Sequence, residues 1–350
     1  MEHLKAIFHE ELADSAEGLV RVEGGLVHIY EGRWEPHDLL KAMGTAAYEK
    51  EFRSWLANYR EQRLERGQEL LEQFDQRERF DALKSAYSRR FVIPFVGAGM
   101  SQPSGYPGWT AFLYKLWAKL EKEEAELDEI LGRGEFEEAA QLLGDLLGPA
   151  LFNEQVKNTY GIEKTLSGPI QLCPYLFRGP VVTTNFDDVL KRGYEAAQIA
   201  FSETLLGAQA LDFTSVLATG KPFLTKLHGT ATSVANRVLT KEEYERAYAD
   251  PKTLKRIVNA LCTTTLLFLG CGLSVDRLLT LFRNRVVEEG HDGGGLHYAF
   301  LRAPATGVER RKREAFLIEH NIYPIWYADA DDSAEIEALL HLLADRVVSW

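Results

Sequence analysis

Four short groups of residues in this chain carry the side chains and backbone that could do chemistry. The first is Gly97-Ala98-Gly99-Met100-Ser101. Glycines at 97 and 99 permit backbone angles closed to other residues and remove the side chains that would keep a pyrophosphate from the amides, while Ser101 adds a hydroxyl at the rim. The second is Thr184-Asn185-Phe186-Asp187-Asp188. Two roles are open to it: its amide and carboxylates cap the following helix, or Asn185 and Asp187 point into a ligand crevice. The third is His228-Gly229-Thr230, whose imidazole titrates near neutrality and suits either a structural hydrogen bond or general-base work. The fourth, Gly270-Cys271-Gly272-Leu273-Ser274-Val275-Asp276, repeats the glycine turn. There Ser274 and Asp276 either cap a helix or help to hold the second half of a dinucleotide.

Each group follows a short apolar run. Phe91 to Val96, Val181 to Thr183, Pro222 to Leu227 and Thr265 to Leu269 read as strands buried on both faces, and further strands are expected at His297 to Leu301 and Ile322 to Tyr327. Helical patterns follow them at Val189 to Ala197, after a capping box of Thr240 and Glu243, through Leu278, Leu279 and Phe282, and to about Glu319; a last helix has Asp332 as its expected cap. Strands alternating with helices in this way specify an α/β fold with a doubly wound, mostly parallel, Rossmann-like sheet. Between the first two strands lies a long helical excursion, through Leu113 to Tyr160, that fits a cap over the ligand crevice; Trp109 and Trp117 are expected in its core.

Residues 1–88 have a different character. A short helix and a hairpin of Leu19–Val22 with Leu26–Tyr30 precede a helix whose expected N-cap is Asp38. Phe52, Trp55 and Tyr59 then recur at helical spacing, and that stripe needs cover from its own domain or from another subunit. The chain therefore reads as an accessory or oligomerisation segment over 1–88, mainly a helical arm, and a nucleotide-binding domain over 89–350.

Composition narrows the classes. A net charge of −12 and a pI near 5.4 repel polyanions, so direct nucleic-acid binding is not expected. Cys173, Cys262 and Cys271 are too scattered for a disulfide framework or a cysteine-built zinc site, which fits a reducing compartment and no metal. Met1-Glu2-His3-Leu4-Lys5 does not open an apolar leader, and the longest apolar stretch, Thr263 to Leu269, is too short for a membrane span. A soluble, cytoplasmic protein is the expectation.

Taken in order, GAGMS, TTNFD, LHG and GCGLSVD resemble the sirtuin (silent information regulator) family, and specifically the sirtuin-like domains of bacterial antiphage defence proteins that consume NAD. The resemblance spans about residues 90–330. It implies that Gly97, Ala98, Gly99 and Ser101 bind NAD on one side and Gly270, Gly272 and Ser274 on the adenosine side, with Asn185, Asp187 and His228 as the catalytic group. The deacylating members carry a four-cysteine zinc module and a Phe-Arg pair after the glycine loop; this chain has neither. The implied activity is therefore NAD glycohydrolysis, with NAD as substrate. A non-catalytic module binding NAD or ADP-ribose is the alternative, and protein deacylation or ADP-ribosyl transfer stands behind both. Because such a hydrolase would exhaust its own cell, restraint by a homo-oligomer or a partner is expected, and the resemblance makes a HerA-type ATPase a candidate.

Overall fold

The computed structural model describes residues 2–16, 22–23, 26–29, 32–273, 277–290, 295–328 and 331–347. It divides into two compact units, Met1–Gln68 and Glu69–Trp350.

In the first unit a helix, Glu2–Ala16, is followed by a three-stranded antiparallel sheet of β1 (Val22–Glu23), β2 (Leu26–Ile29) and β3 (Gly32–Trp34). The expected hairpin is there in β1 and β2, although its turn at Gly24-Gly25 and its start at Leu19 to Arg21 lie outside the described residues. The next helix starts at Pro36 with Glu35 as N-cap, two residues before the expected Asp38. Proline at the first helical position has no amide to leave unpaired, so it opens the helix and Asp38 falls in the first turn. A longer helix, Thr45–Gln73, carries the aromatic stripe. Phe52 and Tyr59 cluster with Leu4, Phe8 and Tyr48, so part of that stripe is covered from within the unit by the first helix.

The second unit is built on a seven-stranded, all-parallel sheet: β4 (Val92–Val96), β5 (Val181–Thr183), β6 (Thr204–Leu206), β7 (Leu224–Lys226), β8 (Thr265–Leu269), β9 (His297–Arg302) and β10 (Ile322–Tyr327), in the order β10-β9-β8-β4-β5-β7-β6. The α/β, doubly wound expectation holds. Only β6 has no counterpart in the sequence reading, because three residues at a sheet edge offer too short a pattern to register. Core strands β4 and β8 are apolar on both faces and pack Phe95 against Phe268, with ring centroids 4.9 Å apart.

Chain order reverses at the middle of this sheet. From β4 the chain moves outward through β5 to β6 at the edge, comes back one place to β7, then crosses to β8 on the other side of β4. The carboxyl ends of β4 and β8 therefore flank a topological switch point, where open α/β sheets leave a crevice for ligands. The second unit also takes in residues 69–88, which the sequence pattern groups with the accessory segment. Gln76 explains why: its side chain donates to Trp326 O at 2.8 Å and accepts from Trp326 N at 2.7 Å, pairing with β10 as a neighbouring strand would. The helix Arg77–Ser88 follows directly, and Arg79 donates to Pro324 O. The excursion after β4 is helical as expected, from Trp109–Trp117 to Pro149–Tyr160.

Candidate active site

The two glycine turns come to lie side by side, and their main chains interlock. Gly97 N donates to Leu269 O at 2.8 Å, and Gly99 N donates to Gly270 O at 2.9 Å. A Cβ at Gly97 would sit 2.6 Å from Gly270 O, and one at Gly270, whose φ is +63°, would sit 2.5 Å from Met100 N. These glycines therefore serve backbone-to-backbone contact between β4 and β8 as well as any approach by a ligand. The amides of Met100 and Ser101 also donate within the turn, to Gly97 O and Ala98 O. Ala98, the first residue of the one-turn 3₁₀ helix Ala98–Met100, lies at the wall of a cavity.

That cavity, of about 580 Å³, lies over the carboxyl ends of the strands. Its wall includes Gly97, Ala98, Gly99, Asn185, Asp187, His228, Gly270 and Gly272, gathered from four strand ends distant in sequence. Ser101 is not part of the wall. Expected at the rim, it is 2% exposed, because the one-turn 3₁₀ helix Ala98–Met100 carries it beneath the surface. Its hydroxyl accepts from Asn185 Nδ2 at 3.0 Å and donates to Asp187 Oδ1 at 3.1 Å, tying the first motif to the second. Ser274 lies outside the described residues, as do Val275 and Asp276.

Asn185 is oriented from two sides. Its Nδ2 also donates to Gly97 O at 3.0 Å, and a carbonyl can only accept, so Oδ1 is the atom left for a ligand. Asp187 combines both roles open to it: Oδ1 accepts from Val189 N, at the start of the helix Val189–Ala196, while the residue lines the cavity. Burial pushes its carboxyl upward, partly offset by the Val189 amide, Lys226 and Ser101. Lys226, at the end of β7, is 3% exposed and donates to Phe186 O, Asp187 O and Asp188 Oδ1, the last two at 2.8 Å. It pins the loop carrying Asn185 and Asp187. The signal for it was a lysine inside an otherwise apolar strand.

His228 lies two residues beyond the end of β7. Gly229, with φ +68°, turns the chain beneath it, and a Cβ there would overlap the Asn236 carbonyl oxygen. The imidazole edge reaches the cavity, while the ring packs near Phe186, 6.0 Å between centroids, and its Nε2 lies 2.8 Å from Tyr244 Oη. Enclosure by protein lowers its pKa to about 4 and keeps the ring neutral at physiological pH. Trp109, expected in the core, instead lines the cavity and packs on Phe186 at 5.2 Å, whereas Trp117 is fully buried as expected. Toward β9 and β10 the wall continues through Arg302, Arg313, Tyr327 and Asp332, with Arg302 bonded to Asp332. None of these four belongs to the four motifs: Arg302 and Tyr327 end β9 and β10, Arg313 lies within the helix Gly307–Ile318, and Asp332, the expected cap of the last helix, is its first residue.

A neutral imidazole, an amide carbonyl and a buried carboxylate thus face a cavity floored by two glycine turns. Residues 180–325 match the family model described as a SIR2-like domain. The matched stretch starts just before β5, so it holds the TTNFD, LHG and GCG ends, while the GAG turn precedes it. Among curated relatives, the chain is 25% identical over 222 residues to NAD(+) hydrolase ThsA of Cytobacillus dafuensis, covering 63% of this chain and 42% of that protein. It is 24% identical over 219 residues to Defense-associated sirtuin 2 of Bacillus subtilis, covering 57% and 20%. With NAD(+) hydrolase ThsA of Enterococcus faecium the identity is 23% over 217 residues, covering 59% and 42%. The chain thus spans less than half the length of these relatives. Among the described residues there is no cluster of His, Cys, Asp and Glu able to hold a metal ion, and no helix long and apolar enough to cross a membrane.

Proposed function

We propose that this protein is an NAD glycohydrolase that cleaves NAD to nicotinamide and ADP-ribose, acting as an antiviral defence effector. The observation that carries the reading is the convergence of neutral His228, oriented Asn185 and buried Asp187 on one cavity at the switch point. Breaking the bond between nicotinamide and ribose builds positive charge on the ribose ring. Asp187 supplies a nearby carboxylate against that charge, and the Asn185 Oδ1 accepts from a ribose hydroxyl or from water. His228, neutral and unprotonated on one nitrogen, takes the proton of a ribose hydroxyl or of the attacking water. Water then adds to the carbon that nicotinamide has left, and ADP-ribose departs.

Ala98 and the glycine turns fit the pyrophosphate, and the wall from Gly270 toward Arg302 fits the adenosine half. Two of the relatives are named NAD(+) hydrolases and one a defence-associated sirtuin, which supports the reading at the level of the family. Unrestrained, such an activity would exhaust the cell's own NAD. Restraint by self-assembly or by a partner, for which a HerA-type ATPase is the candidate, is part of the proposal, as is action in the cytoplasm. The test is to incubate purified protein with NAD, with and without candidate partners, and resolve products chromatographically. Nicotinamide and ADP-ribose, absent with His228→Ala, are expected. Tight NAD binding with no turnover under any condition would replace the hydrolase with a binding module.

A further inference from the structure

Tyr244 is absent from the four motifs, yet its hydroxyl lies within hydrogen-bond distance of His228, 2.8 Å from Nε2. The two rings meet edge to face, 5.7 Å between centroids and 72° apart. The tyrosine stands on a firmly anchored element. Its helix, Lys241–Ala247, begins with a reciprocal capping box of Thr240 and Glu243, and Glu243 is also locked to Arg237 in an ion pair whose side chains are 6% and 2% exposed. From the other side the Arg277 guanidinium lies 5.3 Å from the centre of the Tyr244 ring and is paired with Glu137, another residue of the cavity wall. Neither ring has freedom to swing away.

We propose that Tyr244 is the positioning residue of His228: it accepts a hydrogen bond from Nε2–H, so that Nδ1 carries the lone pair and is the nitrogen presented to the ligand. A neutral imidazole bears one N–H and one lone pair, and burial keeps His228 neutral. Among the described residues no partner meets Nδ1. When Nδ1 takes a proton from a ribose hydroxyl or a water, the ring becomes cationic, and the bond from Nε2–H to the Tyr244 oxygen strengthens as that charge appears. An interaction that strengthens only as the proton moves belongs to the transition state, and so contributes to kcat more than to KM.

The kinetic part rests on the hydrolase reading; the tautomer does not. The experiment therefore has two arms. In the first, protein labelled with ¹⁵N-histidine is examined by NMR without NAD, with the His228 signals assigned by their loss in His228→Gln. Nε2 protonated and Nδ1 bare is the expected result, with Tyr244→Phe giving mixed tautomers; a protonated Nδ1 in the wild type overturns the proposal. In the second arm, Tyr244→Phe, which keeps the ring and its packing, is expected to lower kcat by about ten- to a hundredfold while KM moves less than about threefold. An unchanged kcat in Tyr244→Phe, measured beside a wild type that does turn over NAD, overturns it as well. If the wild type turns over no NAD with any partner, the hydrolase reading fails, and the NMR arm still decides the tautomer.

Discussion

His228 shows how environment selects among the roles a residue type can play. In water an imidazole titrates near 6.5, but here enclosure by protein lowers that to about 4. The neutral, proton-accepting form is therefore already complete well above pH 5, and the NAD turnover proposed for this site should stay level as pH falls from 8 to about 5.5. A pH-rate profile checks this; an acid limb near 6.5 would mean that the ring is solvated in solution. Asn185 owes its usefulness to restraint, because Gly97 O and Ser101 fix its amide and leave Oδ1 for the ligand. For Asn185→Ala and His228→Ala the expected outcome is a loss of kcat of about 10²-fold or more with NAD affinity within a few-fold of wild type, read by product chromatography and calorimetry. Weakened binding with unchanged kcat would assign both residues to holding the substrate instead.

At the scale of elements, the site depends on strand ends staying in register. Gly97 and Gly270 let the turns after β4 and β8 share main-chain contact, and a methyl group at either position meets backbone atoms that cannot rotate away. Gly97→Ala is thus expected to cost about 1–3 kcal/mol of stability and to lower NAD affinity together, as denaturant unfolding and calorimetry would reveal. Lys226 acts on the neighbouring loop. Replacing it with Met keeps most of its volume but leaves two carbonyls and Asp188 without their donor, at an expected cost of about 1–3 kcal/mol. NAD turnover should fall further than that loss of stability explains, because the loop carries both Asn185 and Asp187. Equal turnover in folded Lys226→Met protein would show that the loop holds its shape without the lysine.

Across the whole molecule, histidines that the fold keeps neutral link folding to pH. His228 and His297, the latter 1% exposed and lowered to about 3, stay neutral in the native state while the unfolded chain binds protons near 6.5. Native stability is therefore full above about pH 6.5 and is lost as pH falls toward 4 and then 3, by an amount on the order of a few kcal/mol. Asp187, raised from 3.8 by burial, works in the opposite sense above that value and softens the trend. Urea midpoints measured at pH 7.5 and 5 check it: the midpoint should drop at pH 5, and His297→Asn should shrink the drop. The same scale governs regulation. Part of the aromatic stripe of Met1–Gln68 is covered by the helix Glu2–Ala16, so Phe52 and Tyr59 are not the surface on which self-assembly would have to rely.

Much of this protein was legible before any coordinates. Apolar runs ending in glycine, amide or imidazole define the strands from local pattern alone, because a strand buried on both faces holds few polar residues until it emerges. That logic located β4, β5, β7, β8, β9 and β10 and pointed to Asn185, Asp187 and His228. It failed for Ser101 and Trp109: the 3₁₀ turn Ala98–Met100 carries the serine beneath the surface, and Trp109 packs on Phe186 at the cavity wall. It also had no means of finding Tyr244, Arg302 or Arg313, which reach the cavity from elements outside the four motifs. Hydrophobic alternation is a property of neighbours along the chain, whereas the ring facing His228, the clasp of Gly97 on Leu269 and the pairing of Gln76 with β10 join residues far apart in sequence. Those contacts exist only once the sheet has brought its strand ends together.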